Sequence, residues 1–99
     1  MGLIPEDIIR QVIERTDIAE TIGTYIPLKR AGQNFKANCP FHQEKTPSFV
    51  VNPSKQIFHC FGCGVGGNVV AFVMKYDRLE FPEAVRLLAQ KANIIIPET

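Results

Sequence analysis

No run of apolar residues in this chain approaches the roughly 18–20 that a membrane-spanning helix needs, so a helical membrane span is excluded. The N-terminal Met-Gly-Leu-Ile-Pro has neither a basic start nor an apolar segment behind it, and no export signal is read there. Internal repeats, low-complexity stretches and linker-like composition are missing too, so the 99 residues read as one domain, 1–99. Cysteine is scarce and odd in number. Three cysteines cannot all pair as disulfides, and a reducing compartment, the cytoplasm, is expected. Catalytic constellations are also lacking. The acids are scattered over helical segments with no pair placed to hold Mg²⁺, and no serine or cysteine has a spare histidine to activate it. The chain itself is therefore expected to carry no catalytic site.

What is present is an ordinary globular composition, 45% hydrophobic and 21% charged, and two matched pairs of metal-ligand residues. Cys39-Pro40-Phe41-His42 and Cys60-Phe61-Gly62-Cys63 are separated by seventeen residues. Two short knuckles joined by a connector of about 15–20 residues is the pattern of a structural zinc site. Zinc takes four tetrahedral N and S ligands, and three thiolates with one imidazole supply them. The imidazole also suits zinc better than an iron–sulfur cluster. A catalytic zinc keeps an open position, and four good ligands close this one.

Competing readings of the same residues are weaker. Cys60-Phe61-Gly62-Cys63 alone could be a redox dithiol, but it has a matching partner pair and no βαβ pattern around it. Gly62 to Gly67 formally fits a dinucleotide fingerprint, yet no second parallel strand follows at the right distance. His59 competes with His42 for the fourth ligand place. It adjoins Cys60, so on a strand its side chain points to the other face. His42 is read as the ligand.

The formal net charge of +1 hides an asymmetry. Residues 1–28 carry a surplus of three acids, residues 29–63 a surplus of four bases, and residues 64–99 balance. The basic segment is the one that holds the metal pairs, which suggests an anionic partner. Lys29, Arg30, Asn34, Lys36, Lys45, Lys55, His59 and Phe61, interleaved with Phe35, Phe49 and Phe58, form a basic and aromatic set. Single-stranded nucleic acid is held by such sets, bases on rings and phosphates on cations. Composition leaves this even with the reading that Phe35, Phe49 and Phe58 are core and the lysines merely solvated. Strand alternation forbids Phe58 and His59 from sharing a face, and His59 is expected outside with Phe58 inside.

Local signals predict an α+β fold, a zinc-ribbon antiparallel sheet with flanking helices. Pro5 with Glu6 and Asp7 opens a helix whose apolar face is Ile8, Ile9, Val12 and Ile13. Asp17 caps a short second helix that ends at Gly23. Strands are expected at 25–28, 34–37, 49–51 and 56–59, with turns at 31–33 and 52–55. Gly66-Gly67 is expected to break the sheet before Asn68 caps a helix carrying Val69, Val70, Phe72, Val73 and Tyr76. Pro82 opens a last helix with a stripe of Phe81, Val85, Leu88, Ala89 and Ala92. Asn93 ends it, and residues 94–96 are expected to form a closing strand.

The stretches Cys-Pro-Phe-His-Gln-Glu-Lys-Thr-Pro-Ser-Phe (39–49) and Lys-Gln-Ile-Phe-His-Cys-Phe-Gly-Cys-Gly-Val-Gly-Gly-Asn (55–68) resemble the N-terminal zinc-binding domain of bacterial DnaG-type DNA primases. The resemblance runs from Ile4 and Pro5 through residues 81–92. It implies one structural zinc on Cys39, His42, Cys60 and Cys63, at one end of an antiparallel sheet packed by helices. It further implies binding of a single-stranded DNA template and help in choosing where an RNA primer starts. The polymerase domain, a nucleotidyltransferase, and the helicase-binding domain would lie elsewhere in the parent protein. Action on that polymerase domain in cis or in trans, no direct helicase contact, no membrane contact, and a place at the replisome on the nucleoid follow from the same resemblance. One departure is Gln33, where such proteins often carry lysine or arginine. A zinc ribbon that serves protein–protein docking is the alternative reading.

Overall fold

The computed structural model describes residues 4–41 and 47–96. Two short helices come first, α1 (Glu6–Arg15) and α2 (Ile18–Gly23). A five-stranded antiparallel sheet follows: β1 (Lys29–Ala31), β2 (Asn34–Ala37), β3 (Phe49–Asn52), β4 (Ile57–Cys60) and β5 (Gly66–Gly67), in that spatial order. Two helices close the chain, α3 (Val69–Asp77) and α4 (Phe81–Lys91). The expected α+β class, with an antiparallel ribbon and flanking helices, is what the chain adopts.

Helix ends follow their caps. The Asp17 carboxylate accepts from the N–H groups of Ala19 (2.8 Å) and Glu20 (3.2 Å), and the Asn68 side chain accepts from Ala71 N–H at 3.0 Å. These satisfy N–H groups that a first turn leaves without partners. Asn93 ends α4 in the left-handed region (φ 58°), and the Ile94 N–H reaches back to the Ala89 carbonyl at 2.8 Å. That is a six-to-one closure of the Schellman type.

Three expectations are corrected. Residues 25–28 are not a strand. The N–H groups of Tyr25 and Ile26 both bond the Ile22 carbonyl, at 2.9 and 3.0 Å, so the chain leaves α2 in a further turn and β1 begins at Lys29. Gly66-Gly67 does not break the sheet but pairs with Phe58 and His59 as its fifth strand. Only glycine suits Gly67, because its φ of +150° is strained for other residues and a Cβ would stand 2.8 Å from that of Ala71. Residues 94–96 form no strand, and the Ile94 N–H is committed to closing α4.

Register assigns the faces. Lys29, Lys36, Val50, His59 and Gly66 are paired across successive strands and share one face. Arg30, Phe35, Val51, Phe58 and Gly67 form the next row, on the opposite face. That second face is the core side. Phe49, Val51 and Phe58 are buried there with Phe72, Val73, Val85, Leu88 and, from the first helices, Val12, Ile18 and Ile22. Phe49 and Phe58 stack at 5.4 Å, and Phe72 meets Phe58 edge-on at 5.6 Å. Edge-on and offset rings are the arrangements that aromatic quadrupoles favour.

Candidate metal centre and basic sheet face

Ala37 ends β2 and Cys60 ends β4, and both lie in the row of Phe49 at the same end of the sheet. The sheet therefore delivers the two Cys-containing segments to one place. The second knuckle is a tight loop in which Gly64 N–H bonds the Cys60 carbonyl and Cys60 N–H bonds the Val65 carbonyl, each at 2.8 Å. Gly64 holds φ +80° to make that turn. The first knuckle is tied to the core by Phe41, whose ring centroid lies 5.5 Å from that of Phe72.

The three sulfurs lie within 4.8 Å of one another, and the Cys39 and Cys63 sulfurs are 3.8 Å apart. A tetrahedral zinc with Zn–S bonds of about 2.3 Å requires sulfur separations of about 3.8 Å, so the donor set fits this ion. Burial pushes the Cys39 thiol up to about 12, against a Phe41 N–H that favours its thiolate. Burial also opposes a thiolate at Cys60. There the Ser48 hydroxyl, at 3.6 Å, and the N–H groups of Cys63 and Gly62 outweigh it and bring Cys60 down to about 7. Three thiolates this close repel one another, and a dication is what allows all three to ionise. His42, the fourth ligand read from the spacing, lies outside the described residues, as does Lys45.

The outer face of the sheet carries Lys29, Lys36 and His59 in one row, all exposed. The Phe61 ring beyond it is 73% exposed and meets the His59 ring at 4.6 Å. His59 is outside and Phe58, 2% exposed, is inside. Asn34 pairs with Ala31 beside the first turn, and Lys55 stands in the β3–β4 turn, so these two lie at the end of the sheet away from the cysteines. Arg30 does not join Lys29 and Lys36. It belongs to the opposite row, lies 5.9 Å over the Phe35 ring and donates to the Gly32 carbonyl at 3.3 Å. Phe35, half-buried under it, is likewise withdrawn from the outer face.

Two residues that shape the site carry no sequence signal. Ser48 reaches the Cys60 sulfur only once β3 and β4 pair. Gln56 holds a left-handed φ of 55°, accepts the Ile18 N–H at 2.9 Å and donates to the Pro53 carbonyl at 2.7 Å. It thereby fixes the hairpin to α2.

Comparison with known proteins matches residues 4–99 to the model of the CHC2 zinc finger, a DnaG-type zinc ribbon. The chain belongs to this CHC2 zinc-finger family. Its similar proteins include the DNA primase of Pseudomonas aeruginosa, 54% identical over 96 residues, which are 97% of this chain and 14% of that protein. The DNA primase of Listeria monocytogenes is 53% identical over 94 residues, 95% of this chain and 15% of that one. For the Escherichia coli DNA primase the figures are 52% over 96 residues, 97% and 16%. The crystal structure of the Aquifex aeolicus primase zinc-binding and RNA polymerase domains is similar at TM-score 0.88 and 43% identity, covering 91% of this chain and 22% of that one. The chain thus spans about one-seventh of the length of these curated relatives.

Proposed function

We propose that this chain is the template-recognition module of a bacterial DNA primase, holding one structural zinc and binding single-stranded DNA to help select where an RNA primer starts. Cys39, His42, Cys60 and Cys63 hold the ion. The residue types in the name CHC2 occur in that order in these four positions, which supports the assignment. The observation that carries the DNA reading is the outer sheet row, where two lysines and an exposed imidazole stand in line beside a ring that is 73% exposed. Cations at that spacing suit phosphates and exposed rings suit bases. Lys29, Lys36, Lys45 and Lys55 are the phosphate contacts, with Asn34 as a polar contact, and His59 and Phe61 are the stacking pair.

Primer synthesis itself belongs to an RNA polymerase domain beyond this chain. The Aquifex structure holds a zinc-binding and an RNA polymerase domain together, which favours that domain as a second partner, in cis or in trans. Helicase contact would pass through another domain, and the setting is the cytoplasmic replisome on the nucleoid.

Titration of the zinc-loaded chain with a short single strand over a range of salt tests the reading. Each phosphate contact adds about 0.7 to the slope of log affinity against log salt. Replacing Lys29 and Lys36 by alanine should lower affinity for all sequences alike and flatten the slope by about 1.4. If the double variant binds as the parent does while Arg86→Ala loses affinity, the sheet is not the DNA surface, and docking to the polymerase domain is its role.

A further inference from the structure

A recess of about 550 Å³ opens beside the β1 edge, next to the first metal knuckle. That volume lies within the roughly 300–1,000 Å³ of sites for small ligands. Its lining is mostly apolar. Ala37 is buried, Ile26, Ala31 and Pro40 are half-buried, and Pro27 and Pro47 are exposed. Three exposed cations, Lys29, Arg30 and Lys36, line it too. Asn38 is exposed beside them, and its amide makes no hydrogen bond among the described residues. Among the described residues β1 pairs only with β2 in the sheet, which makes it an edge strand.

We propose that this recess receives one unstacked base of a single-stranded nucleic acid, with the flanking phosphates on Lys29, Arg30 and Lys36. The inference rests on the DNA reading above and adds a site to it. A planar base enclosed by apolar side chains loses the water from both faces, as bases taken out of a stack do elsewhere. The Asn38 amide offers a donor and an acceptor together, the pair that base edges complement. The three cations neutralise the backbone on either side, and this gives Arg30 a role although it is off the outer face. Pro40 follows Cys39 directly, so metal binding at Cys39 fixes one wall of the recess.

The test compares a short thymidine strand with an abasic strand of equal length, using the zinc-loaded chain. The thymidine strand should bind the parent chain more tightly. Asn38→Ala, an exposed change that leaves the fold alone, and Ala31→Leu, which narrows the recess without changing charge, should each cut that preference about five-fold or more. Their salt slopes should stay at the parent value. In chemical-shift mapping, the Asn38 side-chain amide should move with the thymidine strand and not with the abasic one. If His59 and Phe61 move while Asn38 and Ala31 stay still, and both variants keep the preference, the recess proposal is overturned and the sheet-face reading survives. If neither strand binds at any salt concentration, both readings fail together.

Discussion

Cys60 and His59 are neighbours in sequence and face opposite ways, which makes them a matched pair for asking what the metal needs. Cys60 is fully buried at the sulfur cluster, while His59 lies on the outer face against Phe61. The apparent binding energy of structural zinc in small domains is on the order of 10–16 kcal/mol and appears as folding energy. Cys60→Ser should therefore lose metal and cooperative thermal unfolding together, whereas His59→Ala should keep both. Metal analysis and a melting curve on each variant check this. Zinc loss from His59→Ala with retention in His42→Ala would reverse the ligand assignment. The ligand pattern was legible in the sequence because metal coordination demands particular side chains at short, fixed spacings. Ser48 was not, because its hydrogen bond to Cys60 exists only after two strands have paired.

Elements were legible where the deciding chemistry is local and obscure where it is tertiary. Asp17, Asn68 and Asn93 act on backbone groups within a few residues, so helix boundaries could be read from them. Gly66-Gly67 reads as a breaker because it has no side chain to pack, yet its pairing with β4, where a Cβ on Gly66 would stand 3.0 Å from the Phe58 carbonyl oxygen, is a tertiary fact. Residues 94–96 have the β-branched composition of a strand, but the Ile94 N–H is taken up by the Ala89 carbonyl in closing α4. Tyr25 shows how a segment misread as strand is held. Its hydroxyl donates to the Asp77 carboxylate at 2.9 Å, joining the turn after α2 to the end of α3. Burial first, then the Asp77 hydrogen bond and charge, push this hydroxyl up from 10.0 to about 12. The folded chain thus keeps the proton longer than the unfolded one. The stability this adds is complete below pH 10 and is lost as pH rises toward 12. Tyr25→Phe should lower stability near neutral pH and shrink the further decline between pH 10 and 12. Ultraviolet titration should show a tyrosinate transition near pH 12 in the parent that the variant lacks. A parent with no such late transition would break the argument.

At the scale of the whole molecule, the sheet and the helices share one core. Phe49 and Phe58 come from the sheet, Phe72 from α3, and Phe41 from the first knuckle, with ring centroids between 5.4 and 6.4 Å apart. Among the described residues the buried apolar side chains of sheet and helices form a single cluster. An ion held at the three sulfurs would fix Cys39 and thereby the position of Phe41 two residues on, and its removal would loosen the same cluster that anchors α3. Chelation should consequently lower the unfolding temperature of the molecule as a unit. In amide exchange, protection should fall in β3, β4 and α3 together, rather than in the sheet alone. The contrary pattern is specific. If chelation opens the sheet amides while those of α3 and α4 keep their protection, the helices form a separate stable unit, and the shared aromatic core does not couple the metal to them.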